Sequence, residues 1–118
     1  MSTRSNIIAK FDGGNYYGIY CHFDGYLDHN GRILKDHYNT QSKVEKLIKE
    51  GDASFIDESL ADSVFYHRDR GEDLRLTGPC KTLLDCFEDL DDEDYTYVWE
   101  DGKWKVFKWN NIKSLSSF

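Results

Sequence analysis

Apolar and polar positions alternate at two periods along this chain, and the change of period marks out its elements. Asn6 to Phe11 and Tyr16 to His22 read as two strands. Between them Asp12-Gly13-Gly14-Asn15 can take the positive φ that a tight hairpin demands. Asp24-Gly25-Tyr26 then breaks the strand. A short helix is expected from about Asn30 to Tyr38, with Ile33, Leu34 and His37 or Tyr38 on one face. A second runs from about Lys43 to Glu50: Ser42 is placed to cap it, Glu45 completes a capping box, Val44, Leu47 and Ile48 form its apolar stripe, and Gly51 stops it. The stretch from Asp52 to Asp62 is ambiguous and reads as a further helical turn.

Ser63 to His67 reads as a strand and Arg68 to Asp73 as a polar loop. Thr77-Gly78-Pro79 announces a third helix with Pro at its first position, and Cys80, Leu83, Leu84, Phe87 and Leu90 follow at helical spacing. Glu88 and Asp89 would sit at its C-terminal end, where negative charge is unfavourable, so the helix should end early and leave the acids to a loop. The last unit is the clearest. Tyr95 to Glu100, Asp101-Gly102 and Lys103 to Trp109 form a hairpin with a two-residue turn. That register pairs Trp99 with Trp104 and Tyr97 with Val106 on the face that should meet the helices. It pairs Glu100 with Lys103 and Val98 with Lys105 on the other.

The expected fold is therefore α+β. An antiparallel sheet, built from N- and C-terminal hairpins and a middle strand, packs on two or three helices in the order β-β-α-α-β-α-β-β. With 118 residues there is room for one domain, spanning 1–118, and aromatic residues at 15% supply the area for its core. No repeat or linker interrupts it. No apolar run approaches the roughly 20 residues that span a bilayer, and no apolar stretch follows Arg4 as a secretory signal would require. The three cysteines are odd in number and lack metal-type spacing, so reduced thiols in a cytosolic protein are expected.

Charge adds something the periodicity does not. The net charge is −7, and Asp85, Glu88, Asp89, Asp91, Asp92, Glu93 and Asp94 lie together with no base among them. Those seven acids equal the whole net charge. The stretch after Asp101 carries Lys103, Lys105, Lys108 and Lys113 and no acid. Segregation of this kind excludes direct nucleic-acid binding through a basic patch. It leaves three readings of the acidic segment: a solvated loop, a docking surface for a basic protein, or a Ca²⁺ loop, the last failing the EF-hand spacing.

Met1-Ser2-Thr3-Arg4-Ser5, the block from Ile19 to Tyr26, Lys43 to Ile48, Gly51-Asp52, Arg68-Asp69-Arg70-Gly71-Glu72 and the hairpin from Tyr97 to Trp104 together carry a resemblance. The chain is similar over most of its length to a family of small, mostly uncharacterised proteins of bacteriophages and prophage-bearing bacteria. It departs from the family's pattern at Leu27, where a Pro often stands, and at His67. The resemblance implies a phage-encoded accessory protein working inside a bacterial host's cytoplasm. It implies no catalytic signature.

Two His-x-Asp pairs stand out, His22 with Asp24 and His67 with Asp69. Each pair would share a strand face, and the two could converge on a divalent metal or be ordinary hydrogen-bonded pairs. Arg68 and Arg70 could grip an anion bidentately with Asp69 and Glu72 holding them in place, or form local ion pairs in a solvated loop. His67-Arg68-Asp69 spells a kinase catalytic-loop tripeptide, but the chain is too short for a kinase and has no Gly-rich phosphate loop. No nucleophile elbow is present, and Cys21 and His22, adjacent on a strand, point to opposite faces.

Two functions follow as expectations. One is a binding protein, a counter-defence or host-modulating inhibitor that meets a host bacterial protein through Glu88, Asp89, Asp91, Asp92, Glu93 and Asp94. The other is a sponge or weak enzyme for a nucleotide-like small anion, its site built from Arg4, His22, Asp24, Tyr26, Arg68, Asp69, Arg70 and Glu72. Neither needs a cofactor or a bound metal, and self-association stays open. Side chains at strand ends emerge at one rim of a sheet, so the segments 22–26 and 67–72 are expected to meet there.

Overall fold

The computed structural model describes residues 3–108 and the backbone of Ser116–Ser117; Met1, Ser2, Trp109 and Lys113 lie outside them. The first hairpin forms where the glycines permit it. Strands β1 (Ser5–Lys10) and β2 (Tyr16–Cys21) run antiparallel with Ile7 opposite Ile19. The reversal closes through Phe11 N–H on the Asn15 carbonyl and Gly14 N–H on the Phe11 carbonyl, both 2.8 Å, with Gly14 at φ +94°.

After β2 a π-helical turn (Leu27–Gly31) leads into helix α1 (Arg32–His37), followed by α2 (Gln41–Lys49) and β3 (Ala53–Phe55). Then come β4 (Val64–Phe65), the single-turn α3 (Tyr66–Arg70), β5 (Thr77–Cys80) and α4 (Leu83–Asp89). Strands β6 (Tyr95–Glu100), β7 (Lys103–Lys108) and β8 (Ser116–Ser117) complete the elements of the described residues.

The final hairpin has the expected register throughout, Trp99 opposite Trp104, Tyr97 opposite Val106, Val98 opposite Lys105 and Glu100 opposite Lys103. Asp101 and Gly102 turn it at φ 55° and 76°, the left-handed pair that matches the twist of the strands.

The α+β class and the hairpins at both ends are as expected. The sheet order is β4-β3-β2-β1-β6-β7-β8, with β5 also pairing β2. Two joins differ from an all-antiparallel sheet: β1 lies parallel to β6 and β2 parallel to β3. A parallel join needs a crossover, and α1 and α2 supply the one between β2 and β3.

Helices cover both faces. Leu34, Tyr38, Val44, Leu47 and Ile48 pack with Ile7, Ala9, Ile19, Tyr97, Trp99, Trp104 and Val106. On the opposite face Cys86 and Phe87 of α4 join Ile8, Tyr16, Cys80, Val98 and Phe107, with the Phe87 and Phe107 rings 5.0 Å apart edge to face. Among the described residues no helix is long and apolar enough to cross a membrane.

Five local expectations are corrected. Helix α2 is capped by Thr40, whose hydroxyl accepts from Lys43 N–H at 3.3 Å, two residues before Ser42. Glu45 is drawn instead to the first hairpin's turn, accepting from Asp12 N–H and from the Gln41 amide. Thr77-Gly78-Pro79-Cys80 is strand β5 and does not open a helix; α4 starts later, capped by Thr82. Proline lacks an N–H, which suits an edge strand as well as a first helical turn. Ala53 to Phe55 is strand where a helical turn is expected, and the strand after Ser63 ends at Phe65, with Tyr66 opening α3. Helix α4 runs to Asp89, so Asp85, Glu88 and Asp89 are helical and only the acids from Asp91 on lie beyond it.

Candidate functional site

Strand alternation places Asn6 and Tyr20, which are direct partners across β1 and β2, on the α4 face of the sheet. Beside them the sheet has a gap. Strand β5 pairs β2 at Tyr16 and Gly18, and β3 meets it only at Cys21. The intervening Tyr20 amide would have no strand partner, and the Asp52 carboxylate accepts it at 2.9 Å. A buried amide left unmatched is costly, so Asp52 is held in place by the backbone it completes. The chain returning from α3 closes the same corner: Asp52 N–H donates to the Arg75 carbonyl at 2.9 Å and Glu72 N–H to the Tyr66 carbonyl at 3.1 Å. The acidic segment crosses the start of β1, where the Asn6 side-chain amide donates to the Asp91 carbonyl at 2.8 Å and Arg4 N–H to Asp94 at 3.3 Å.

These three pieces enclose an open cleft of about 750 Å³. Its floor is Asn6, Tyr20 and Asp52. One wall is Tyr66, His67, Gly71, Glu72, Asp73 and Arg75; the other is Arg4, Asp91 and Glu93. His67 Nδ1 lies 2.8 Å from the Glu72 carbonyl, which can only accept, so Nδ1 carries the proton and the neutral ring offers Nε2 as an acceptor. The Tyr20 hydroxyl and His22 Nδ1 are 2.6 Å apart.

Burial dominates the cleft's acid–base behaviour. It pushes Asp52 above the ordinary carboxylate value, against the opposing pull of the Tyr20 amide and Arg75. Burial likewise raises Glu93, against Arg4 and with help from Asp91, Asp94 and Asp92. Tyr20 is pushed up to about 12 by burial, with Arg4 lowering it and Glu93 raising it. Folded Asp52 and Glu93 thus hold a proton more tightly than the unfolded chain does. Their contribution to stability is present below their ordinary values and is lost as pH rises through the raised ones. Replacing Arg4 by Ala should move the Glu93 midpoint further up, because the charge that pulls it down is gone. A carboxyl-detected NMR titration reads this directly, and an unmoved or lowered Glu93 midpoint would place Arg4 outside its reach.

Of the residues proposed for a ligand, Arg4 and Glu72 share the cleft, and His22 reaches it only through the Tyr20 hydroxyl. The expected meeting of segments 22–26 and 67–72 is indirect, because β3 stands between them: His22 and Phe23 donate to the Ala53 and Ser54 carbonyls, and β4 pairs the other edge of β3. Asp24 and Tyr26 are exposed and do not line the cleft. Gly25 N–H donates to the Thr3 carbonyl at 2.8 Å, and the exposed Tyr26 ring lies 6.2 Å from that of His29.

Arg68 is fully engaged. It donates to the Leu60 carbonyl at 2.8 Å and the Ser63 carbonyl at 2.7 Å, and forks onto Asp69 at 3.0 and 2.9 Å. Arg68 and the Phe65 amide together hold the Asp69 carboxyl below its ordinary value. The Arg70 guanidinium stacks over Tyr66 at 5.1 Å. The two His-x-Asp pairs do not converge, since His22 is taken by Tyr20, His67 by Glu72 and Asp69 by Arg68. Among the described residues no three His, Cys, Asp or Glu side chains are grouped to hold a metal ion.

The acidic segment splits. Glu88 and Asp89 lie exposed on α4, Asp91 and Glu93 line the cleft, and Asp94 caps the Arg4 amide. Asn6, Tyr20, Asp52, Tyr66, Asp73 and Arg75 were not singled out by sequence reasoning. Each is unremarkable locally and becomes part of a site only through the gap between β3 and β5. Compared with family models, curated proteins and solved structures, the chain matches none.

Proposed function

We propose that this protein works by binding, with the acidic segment from Asp85 to Asp94 and the cleft it borders receiving a basic surface of a protein partner. One observation carries the reading: five carboxylates, Asp52, Glu72, Asp73, Asp91 and Glu93, face the same cleft as only two arginines, Arg4 and Arg75. A site of that balance favours a Lys- or Arg-bearing partner and speeds its approach. In the phage-type setting that the motifs suggest, the partner is a host bacterial protein and the outcome is counter-defence or host modulation.

The small-anion reading has weaker support. The guanidinium group of Arg68, half of its intended clamp, is occupied by two carbonyls and Asp69.

The test is a variant with Glu88, Asp89, Asp91 and Asp92 changed to Gln or Asn, compared with the parent in low-salt capture from bacterial lysate. Partner recovery should fall at least about tenfold, and its dependence on salt should flatten, because screened charge pairs carry the encounter. Equal recovery at every salt concentration would sink the proposal. A thermal-shift screen against nucleotides and cyclic dinucleotides tests the rival, since a ligand bound only by the native state raises its midpoint.

A further inference from the structure

We propose that a second site, in the groove between the end of α1, helix α2 and the loop joining β3 to β4, binds a small apolar monocarboxylate, its body against Tyr38 and Leu60 and its carboxylate on Lys43 and Lys46. The groove holds a cavity of about 320 Å³. It shares no lining residue with the cleft at Asp52. The loop that forms one wall is pinned. Ser63 Oγ accepts from Asp57 N–H and donates to the Ser59 carbonyl, both at 2.8 Å. Arg68 donates to the Leu60 and Ser63 carbonyls, so the contacts that occupy its guanidinium fix the backbone carrying Leu60. The Tyr38 hydroxyl donates to the Asp57 carbonyl at 3.1 Å and ties the loop to the end of α1. A wall fixed in advance leaves little ordering for a ligand to offset.

The polar atoms behind this surface are already matched. The Tyr38 carbonyl accepts from Trp104 Nε1–H, its hydroxyl is spent on Asp57, and the Ser59 hydroxyl meets Asp62 at 3.0 Å. The groove therefore presents mainly the Tyr38 ring, the Leu60 side chain and the methylene stems of Lys43 and Lys46. An apolar wall with a few charged groups at its edge is the usual make-up of a small-molecule pocket, and this cavity is at the small end of their range. Lys43 and Lys46 stand three residues apart on one side of α2 and are exposed. Neither forms an ion pair with another described residue. The acid on the same rim, Glu58, lies 3.8 Å from His37. Two lysines against one carboxylate leave the rim positive, which selects an anionic head, and a single carboxylate has an oxygen for each ammonium group.

The experiment titrates the whole ¹⁵N-labelled protein with octanoate at low salt and follows the backbone amides by NMR. The amides of Tyr38, Lys43, Lys46, Ser59 and Leu60 should shift saturably. Shortening the acid to hexanoate should weaken binding by about fourfold for each methylene removed. Octylamine has the same chain and the opposite charge, and should bind at least about tenfold more weakly than octanoate. Changing Lys43→Gln and Lys46→Gln together should abolish that preference for the acid over the amine. An octanoate titration that leaves these amides unmoved, or that moves the cleft residues instead, would overturn the proposal. So would octylamine binding as tightly as octanoate, or a double Gln variant that keeps the preference. The unaltered chain alone decides the first three outcomes, so the proposal stays testable whether or not the variant folds.

Discussion

A chain carrying Trp99→Ala and Trp104→Ala together should have no cooperative unfolding transition left. The two indoles face each other across the final hairpin with ring centroids 5.4 Å apart at 63°, and they are 3% and 5% exposed. Each also holds a helix to the sheet. Trp99 Nε1–H donates to the Gln41 side chain at 2.7 Å, and Gln41 in turn donates to the Lys10 carbonyl at 2.9 Å. Trp104 Nε1–H donates to the Tyr38 carbonyl at the end of α1 at 2.8 Å.

Removing one such ring costs about 3–5 kcal/mol through lost transfer energy and the cavity it leaves. The two rings touch, so their costs do not simply add. Even so, a combined loss above about 5 kcal/mol matches the whole stability of many domains of this size. The measurement is urea unfolding followed by far-UV circular dichroism. A midpoint close to that of the parent would remove both residues from the core.

That pair was legible in the sequence because its register depends on one local rule. A two-residue Asp-Gly turn leaves no freedom in what faces what, and the aromatic side of the hairpin follows by alternation. The stripe of Val44, Leu47 and Ile48 was legible for the same reason, being a period within one element. What escaped were features set by elements far apart in the chain. Pro79 serves an edge strand or a helix start equally well, and only the packing of Gly78 against Tyr16 decides. A Cβ at Gly78 would lie 2.7 Å from the Tyr16 carbonyl oxygen.

Asp52 follows a helix stop and looks like a loop acid. Its role comes from an amide that β5 and β3 both fail to reach. The dense run from Arg68 to Glu72 drew attention as a ligand loop for its chemistry, yet most of that chemistry is turned inward on α3 and the loop from Leu60 to Ser63. The motif from His22 to Tyr26 shares this character, and Gly25 is the residue that separates a structural motif from a ligand-binding one.

Gly25→Ala should lower stability by about 3 kcal/mol, the sum of an overpacking cost and one or two lost hydrogen bonds. Gly25 is buried where the turn after β2 lies against the start of β1. A Cβ there would stand 2.8 Å from Ser5 Cβ, 2.9 Å from the Arg4 carbonyl carbon and 2.9 Å from the Thr3 oxygen. Two of those three are backbone, which cannot rotate aside, so the turn itself must move. Moving it strains the Gly25 N–H bond to Thr3 and the 2.7 Å bond from the buried Tyr97 hydroxyl to the Gly25 carbonyl. It also strains the Asn30 amide's contact with the Ser5 hydroxyl at 3.1 Å. For a chain of this length that loss lowers Tm by roughly 10 °C. Gly13→Ala is the control, since nothing lies within 4 Å of its Cβ position, and its Tm should stay near that of the parent. If Gly25→Ala melts like the parent but loses a binding activity, the motif serves a ligand and the packing account given for it is wrong.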